Sequence, residues 1–312
     1  MAASEEARTQ ARKDLRSKIK LEKDFKRKLT RLNNKIIKKT VVLFGRDSVV
    51  LNAREFEPAL EGLLIGQYER TQKVFENQVR DILPKELEST NVENALIAGS
   101  LSIFFANRKI EQSQIITRTN QRDINRSIVA ADRQLTESAE VGAIVTNREV
   151  ARTAGTLLRR KLKGRSGTIA TTEIQVAAEI SKAIEANVLT RTPFVLIRMP
   201  PTPLGLPPPK LRKEWVSAGD EKVRRATRGP FSHVAADGQI VDVDKPFIVS
   251  GQRLMIPGDT SLGASLGNVV RCRCASVRRK RDILNARKSI FDAETRIETE
   301  TEVDIPEFGF TP

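Results

Sequence analysis

Six prolines fall within ten residues: Pro200, Pro201, Pro203, Pro207, Pro208 and Pro209. Proline lacks an amide hydrogen and fixes φ, so this stretch can be neither helix nor central strand and must run as extended, polyproline-like chain. It divides the 312 residues in two. Before it, apolar residues recur with a helical period; after it, short β-prone runs lie between Gly, Asp and Pro turn signals. The expected fold class is therefore α+β, a mainly α-helical N-terminal region followed by a small α+β C-terminal module. The boundaries expected are a basic amphipathic arm over 1–40, a helical domain over 41–198, the proline-rich linker over 199–212, the module over 213–281 and an acidic tail over 282–312.

Charge is the second strong constraint. The chain carries 54 Lys plus Arg against 39 Asp plus Glu, a net +15, which points to a polyanionic partner. The excess is concentrated in the first 40 residues, with 14 basic against 5 acidic side chains, whereas the last 31 residues hold 8 acidic against 3 basic. In the arm, Leu15, Ile19, Phe25, Leu29, Leu32 and Ile36 recur mostly at steps of three or four, the signature of one apolar helix side with bases around it. Duplex DNA is the expected partner of this arm, through phosphate contacts from Lys18, Lys20, Lys23, Lys26, Arg27, Lys28, Arg31, Lys35, Lys38 and Lys39. A second basic run comprises Arg271, Arg273, Arg278, Arg279, Lys280 and Arg281. With aromatic residues at 4% and Phe25 alone in the arm's basic stretch, base stacking on single strands is not expected.

The pattern predicts a short hairpin between Val41 and Asn52, around Gly45 and Asp47. Helices are predicted over Pro58–Leu83, ended by Pro84, and from about Val92 to about Ile116. One or two more should occupy Ile124–Arg160, broken near Gly142 or Gly155. Lys163-Gly164-Arg165-Ser166-Gly167 then reads as an interruption, with Ser166 or Thr168 capping a new helix through Val188. Strands are predicted over Gln239–Val243 and Pro246–Val249. The tail should begin as a helix and end extended, with Ile305-Pro306-Glu307-Phe308-Gly309-Phe310 as apolar anchors for another subunit. The nearly apolar run Ala95–Phe105 is shorter than the ~18–20 residues a membrane helix needs, the opening has no apolar leader core, and the two cysteines cannot build a disulfide framework. A soluble protein made in a reducing cytoplasm is expected.

The most specific stretch is Lys213-Glu214-Trp215, Ser217, Asp220, Val223-Arg224, His233, Asp237-Gly238, Phe247, Gly251, Pro257-Gly258-Asp259 and Cys272-Arg273-Cys274. Its order and spacing resemble the phage Mu protein F-like head morphogenesis family, the minor head proteins of tailed phages. Arg165, Thr168-Ile169-Ala170 and Thr172-Glu173 resemble the helix that precedes this module in the family. The chain departs from the family at Thr171, where Arg is usual, at Arg271, where Asn is usual, and near Asn268, where Glu is usual.

As physical chemistry, most of these residues read as scaffold: Trp215, Asp220, Arg224, His233, Asp237, Gly238, Pro257, Gly258, Asp259, Cys272, Arg273 and Cys274. Asp237-Gly238 suits a tight turn and Pro257-Gly258-Asp259 a type II turn. Trp215, the sole tryptophan, should anchor the module's core with its indole N–H bonded to a carbonyl or carboxylate. Asp220 is expected to pair with Arg224 or to cap a short helix holding it. His233, Cys272 and Cys274, with Asp220 or Asp259 as a fourth ligand, suggest zinc chemistry, but Cys-x-x-Cys is the usual spacing of zinc sites. The expectation is two half-buried thiols beside a core histidine, with no metal and no other cofactor.

The resemblance implies a low-copy component of a phage head, at the portal vertex or capsid interior, made in the host cytoplasm. It implies the portal protein, the major capsid protein or other head subunits, and packaged double-stranded DNA as partners, with roles in head assembly and in DNA ejection. It also implies a structural protein, not an enzyme. The alternative is a phage-encoded nuclease or other effector carried in the head, with His233 as base, Arg224 on a phosphate and Asp237 or Asp259 orienting or binding a metal.

Overall fold

The computed structural model describes residues 2–76, 83–140, 143–190, 211–220, 223–225, 227 and 229–301. Four long helices build the N-terminal region: α1 (Glu5–Asp47), α2 (Glu57–Phe75), α3 (Asn91–Ser138) and α4 (Asn147–Leu189). The C-terminal region contains β1 (Arg212–Val216), β2 (Ile240–Asp242), β3 (Phe247–Val249), β4 (Gln252–Leu254), α5 (Leu266–Val269), β5 (Ala275–Arg278) and α6 (Lys280–Thr301). The α+β class and its order along the chain are as the sequence predicts.

Local chemistry sets the helix starts. Thr90 with Glu93, and Thr146 with Glu149, form reciprocal capping boxes at α3 and α4, each satisfying orphan amides of the first turn. Ser4 caps α1 by accepting the Ala7 N–H at 3.3 Å. Packing then decides the lengths. α4 lies at the centre, and every residue from 173 to 190 is buried, because α1, α2, α3 and β5 all pack on it. A Cβ at Gly155 would stand 2.6 Å from Val41 Cγ2, so this glycine lets α1 and α4 approach closely.

Packing also corrects several expectations. No hairpin forms between Val41 and Asn52: α1 continues through both valines and ends at Asp47, where Ser48 turns left-handed (φ 57°) and its N–H reaches Phe44 O at 3.0 Å. α3 runs on to Ser138, past the predicted end at Ile116, because Ile124, Ile128 and Ala131 keep the same side buried. α3 ends at Ser138 and α4 starts at Asn147, on either side of Gly142, which lies outside the described residues, and Gly155 lies inside α4. α4 also passes unbroken through Lys163–Gly167. Two mid-helix glycines cost about 1 kcal/mol each, but Leu158, Leu162, Ala170 and Ile174 hold the buried stripe across them. Ser166 is not a cap there: its Oγ donates to Leu162 O and accepts Asn33 Nδ2 from α1, both at 2.9 Å. α2 is helical to Phe75; residues 77–82, most of the linker and the Ile305–Phe310 ending lie outside the described residues.

The module holds a three-stranded antiparallel sheet, order β2-β1-β5, and a β3–β4 hairpin. β1 pairs Lys213 with Val241 on one side and Trp215 with Ser276 on the other. Ser250 (φ 50°) and Gly251 (φ 76°) make the two-residue hairpin turn, both left-handed as such turns require. Trp215, Phe247, Val249, Leu254, Cys272 and Cys274 form the module's own core. The tail begins as α6, fastened by Arg287, which donates to Glu93 Oε2 at 2.7 Å and to Glu88 O at 3.0 Å.

Candidate functional site

α1 does form the predicted amphipathic basic helix, but it is not a free arm. Phe25, Leu29, Leu32 and Ile36 are buried against the helical core, and its first residues dock on the C-terminal module. Ser4 N–H donates to Glu214 at 2.6 Å, and Asp237 receives the Ala3 N–H at 3.3 Å and Arg8 Nη2 at 2.8 Å. The start of the chain is thereby joined to β1 and to the turn at Asp237.

The helix's rotation sorts its bases. Lys20, Lys23, Lys26, Arg27, Arg31, Lys35, Lys38 and Lys39 are exposed and Lys28 is half-buried. Arg27 and Lys28 both face Asp24, at 3.4 and 2.9 Å, and Lys39 pairs with Glu55. Lys18 is a correction. Its side chain is 2% exposed, and its ammonium donates to Glu179 at 2.7 Å and Gln175 at 3.0 Å, so it cannot reach a phosphate. Lys182 completes the group, bonded to Glu179 at 2.9 Å and Asp14 at 2.6 Å. Burial pushes the Glu179 carboxyl up, but the two lysines outweigh it and hold it below the usual carboxylate range.

Sequence reading passed over part of the basic surface. Arg152, Arg159, Arg160, Lys161 and Lys163 are exposed on α4, the helix packed along α1. The run Arg159-Arg160-Lys161-Leu162-Lys163 was the available signal. Where the helices meet the module, Lys23, Lys26, Arg271 and Arg273 line a cleft of about 520 Å³ together with Glu22 and Thr171. Arg271 is held there by its Nε–H to Thr168 Oγ1 (2.9 Å) and its backbone N–H to Thr172 Oγ1 (3.1 Å). The Thr168–Thr172 stretch of α4 thus positions the loop before Cys272. The two basic runs meet in this cleft. Within the second run, however, Arg278 is buried, and burial pulls its pKa down to about 10.

Arg271 also has φ 57°, a left-handed conformation that Asn tolerates better than Arg.

The scaffold residues behave mostly as their chemistry predicts. Gly258 (φ 92°) occupies the turn closed by Asp259 N–H to Ile256 O at 3.1 Å, and the Asp259 carboxylate accepts the N–H groups of Met255 and Ser261. Gly238 (φ 79°) packs on the chain start so closely that a Cβ would stand 2.6 Å from Ala2 C. Trp215 is fully buried, edge-on to Phe247 and His233 at 5.3 and 5.8 Å between ring centroids. Its indole N–H has no hydrogen-bond partner among the described residues, contrary to expectation; the strand pairing that seats the ring deep in the core leaves that N–H facing no acceptor there. Asp220 pairs with Arg273 Nε at 3.1 Å, while Arg224 turns inward to Asn268 O at 3.1 Å and to Val270 O.

His233, Cys272 and Cys274 converge. All three are buried, with exposures of 1%, 1% and 0%, and His233 Nδ1 lies 3.5 and 3.4 Å from the two sulfurs. The tautomer follows from Asn268. Its Nδ2 donates to Val249 O (3.0 Å) and Gln252 Oε1 (3.1 Å), so its Oδ1 is the atom 2.9 Å from His233 Nε2 and must accept. Nε2 therefore carries the hydrogen and Nδ1 faces the thiols. Burial disfavours charge here, but the adjacent Cys274 and His233 outweigh it and hold the Cys272 thiol well below the ordinary range. Burial and the adjacent Cys272 push Cys274 well above it. Asp237 and Asp259, candidates for the nuclease constellation, use their carboxylates on backbone N–H groups and on Arg8.

No helix among the described residues is long and apolar enough to cross a membrane. Compared with known protein families, with curated proteins and with solved structures, the chain has no match.

Proposed function

We propose that the chain is a minor structural protein of a tailed-phage head, placed at the portal vertex or capsid interior, where it contacts packaged double-stranded DNA and aids head assembly and DNA ejection. The observation that carries the DNA contact is the basic surface shared by α1 and α4, running into the cleft of Lys23, Lys26, Arg271 and Arg273. Such a surface neutralises phosphates without reading base edges, which is what a protein facing packaged DNA of any sequence needs.

The placement in a head rests on the motif from Trp215 to Cys274 that resembles the Mu F-like family. Its residues fall in one module, and the helix segment resembling the family's upstream element packs against that module through Thr168 and Thr172. A protein neighbour is supported by Val92, Ile103 and Ile110, exposed on α3 at 70%, 67% and 45%. Steps of eleven and seven residues place them on one helix face. Portal or capsid subunits are the partners proposed for that face. The role is structural, not enzymatic.

Sedimentation tests this reading. The tagged chain, expressed during phage assembly, is expected to travel with DNA-filled heads at a fixed low copy number. Its absence from heads, with the protein remaining in the soluble fraction, would contradict the proposal.

A further inference from the structure

We propose that His233 Nδ1, Cys272 Sγ and Cys274 Sγ form a zinc site inside the module. The three ligand atoms lie within 4.8 Å of one another, and no other trio of His, Cys, Asp and Glu among the described residues converges in this way. The spacing is that of a coordination sphere. With Zn–S about 2.3 Å and Zn–N about 2.0–2.1 Å, the N···S edge of a tetrahedron is about 3.6 Å. The observed Nδ1···Sγ separations are 3.5 and 3.4 Å.

Cys-x-Cys is unlike the usual Cys-x-x-Cys, but local geometry makes it a chelate here. The chain leaves the left-handed Arg271 and enters β5 at Ala275, and the two sulfurs share one side as side chains i and i+2 of a strand do. Cys272 and Cys274 thus face His233, while Arg273 lies on the other side with Asp220. The imidazole is prepared in the manner of a metal ligand. Its outer nitrogen donates to Asn268 Oδ1, and Asn268 is itself fixed by Val249 O and Gln252 Oε1; such a second contact sets the tautomer and aims the other nitrogen. A water or another exogenous ligand takes the fourth position, as in zinc sites with three protein ligands.

The site's role is to tie together three parts of a module whose strands are only three to five residues long. Small folds with thin cores use metals in this way.

The test uses the full chain, purified under reducing conditions from zinc-supplemented cells. About one zinc per chain after dialysis is expected. Replacement by Co²⁺ should give the sulfur-to-cobalt charge-transfer absorption of a two-thiolate site. Cys272→Ser and Cys274→Ser should each weaken that absorption and lower zinc affinity by about 10-fold or more. His233→Cys should retain the metal and strengthen the charge-transfer band. The wild-type measurements stand whether or not the variants fold. Substoichiometric zinc with no cobalt–thiolate absorption, or a Cys272–Cys274 disulfide in the purified chain, would overturn the proposal.

Discussion

Lys18 Nζ lies 2.7 Å from Glu179 Oε1, with both side chains shut off from water. A base in the most cationic stretch of the sequence therefore locks the first helix to the fourth. Glu179 also accepts the Ser276 N–H at 3.0 Å, and Gln175, which bonds Lys18, donates to Cys274 O at 2.7 Å. One buried polar group thus fastens α1, α4 and β5.

Removing Glu179 leaves Lys18 and Lys182 with a single carboxylate, Asp14, between them. Glu179→Gln is expected to lower stability by about 3–5 kcal/mol, because an uncompensated buried charge is costly. Adding Lys18→Met should recover part of the loss by leaving a neutral Lys182–Asp14 pair. Urea unfolding midpoints measure both effects, and equal midpoints for the single and double variants would refute the coupling.

The same contacts make the first 40 residues structural. Deleting them strips Phe25, Leu29, Leu32 and Ile36 from the core and exposes the apolar face of α4. The truncated chain is expected to lose cooperative unfolding, as followed by circular dichroism. A sharp transition near that of the full chain would show that the arm is dispensable for folding.

The docking of the chain start on Gly238 gives a separable prediction. An alanine there meets both an unfavourable φ of 79° and the backbone of Ala2. Gly238→Ala should cost about 1–3 kcal/mol, and removing residues 2–4 should relieve the steric part while leaving the φ penalty. A loss unchanged by the truncation would place the whole cost in the backbone conformation.

Lys213 supplies a pH signature. Its ammonium is buried on β1, donating to Met255 O at 2.7 Å and lying over the Phe247 ring at 5.0 Å, and burial pulls its pKa from 10.5 to about 7. Between these values the unfolded chain binds more protons than the folded one, so this group's contribution to stability rises with pH. Its penalty is full below about pH 7. Lys213→Met is expected to stabilise the protein by about 1–3 kcal/mol near pH 6, with a gain that shrinks towards pH 10. Thermal unfolding of both proteins across that range tests the sign; a constant gain would mean that Lys213 titrates normally.

Much of the fold was legible because it depends on local period and turn chemistry. The apolar steps from Phe25 to Ile36 mark the buried side of α1, and Gly258 takes the turn that Pro257-Gly258-Asp259 predicts. Misreadings arose where a distant partner overrides a local signal. Gly164 and Gly167 look like a helix break until α1 and α3 are laid along α4, and Val41 and Val42 look like strand until Gly155 admits α4 beside them. Lys18 differs from Lys20 only in facing Glu179, which lies 161 residues away. In the cluster, the Cys-x-Cys spacing does not show that both sulfurs face His233, which lies 39 and 41 residues away.

The central claim is that the joint surface of α1, α4 and the Arg271 loop holds duplex DNA by its phosphates. The most direct measurement is the salt dependence of DNA affinity for the wild-type chain and for Lys23→Gln/Lys26→Gln/Arg271→Gln, with equal urea midpoints as the folding control. Each lost phosphate contact removes about 0.9 from the slope of log K against log salt, so the triple variant is expected to flatten it by about 3. An unchanged slope and affinity would contradict the account.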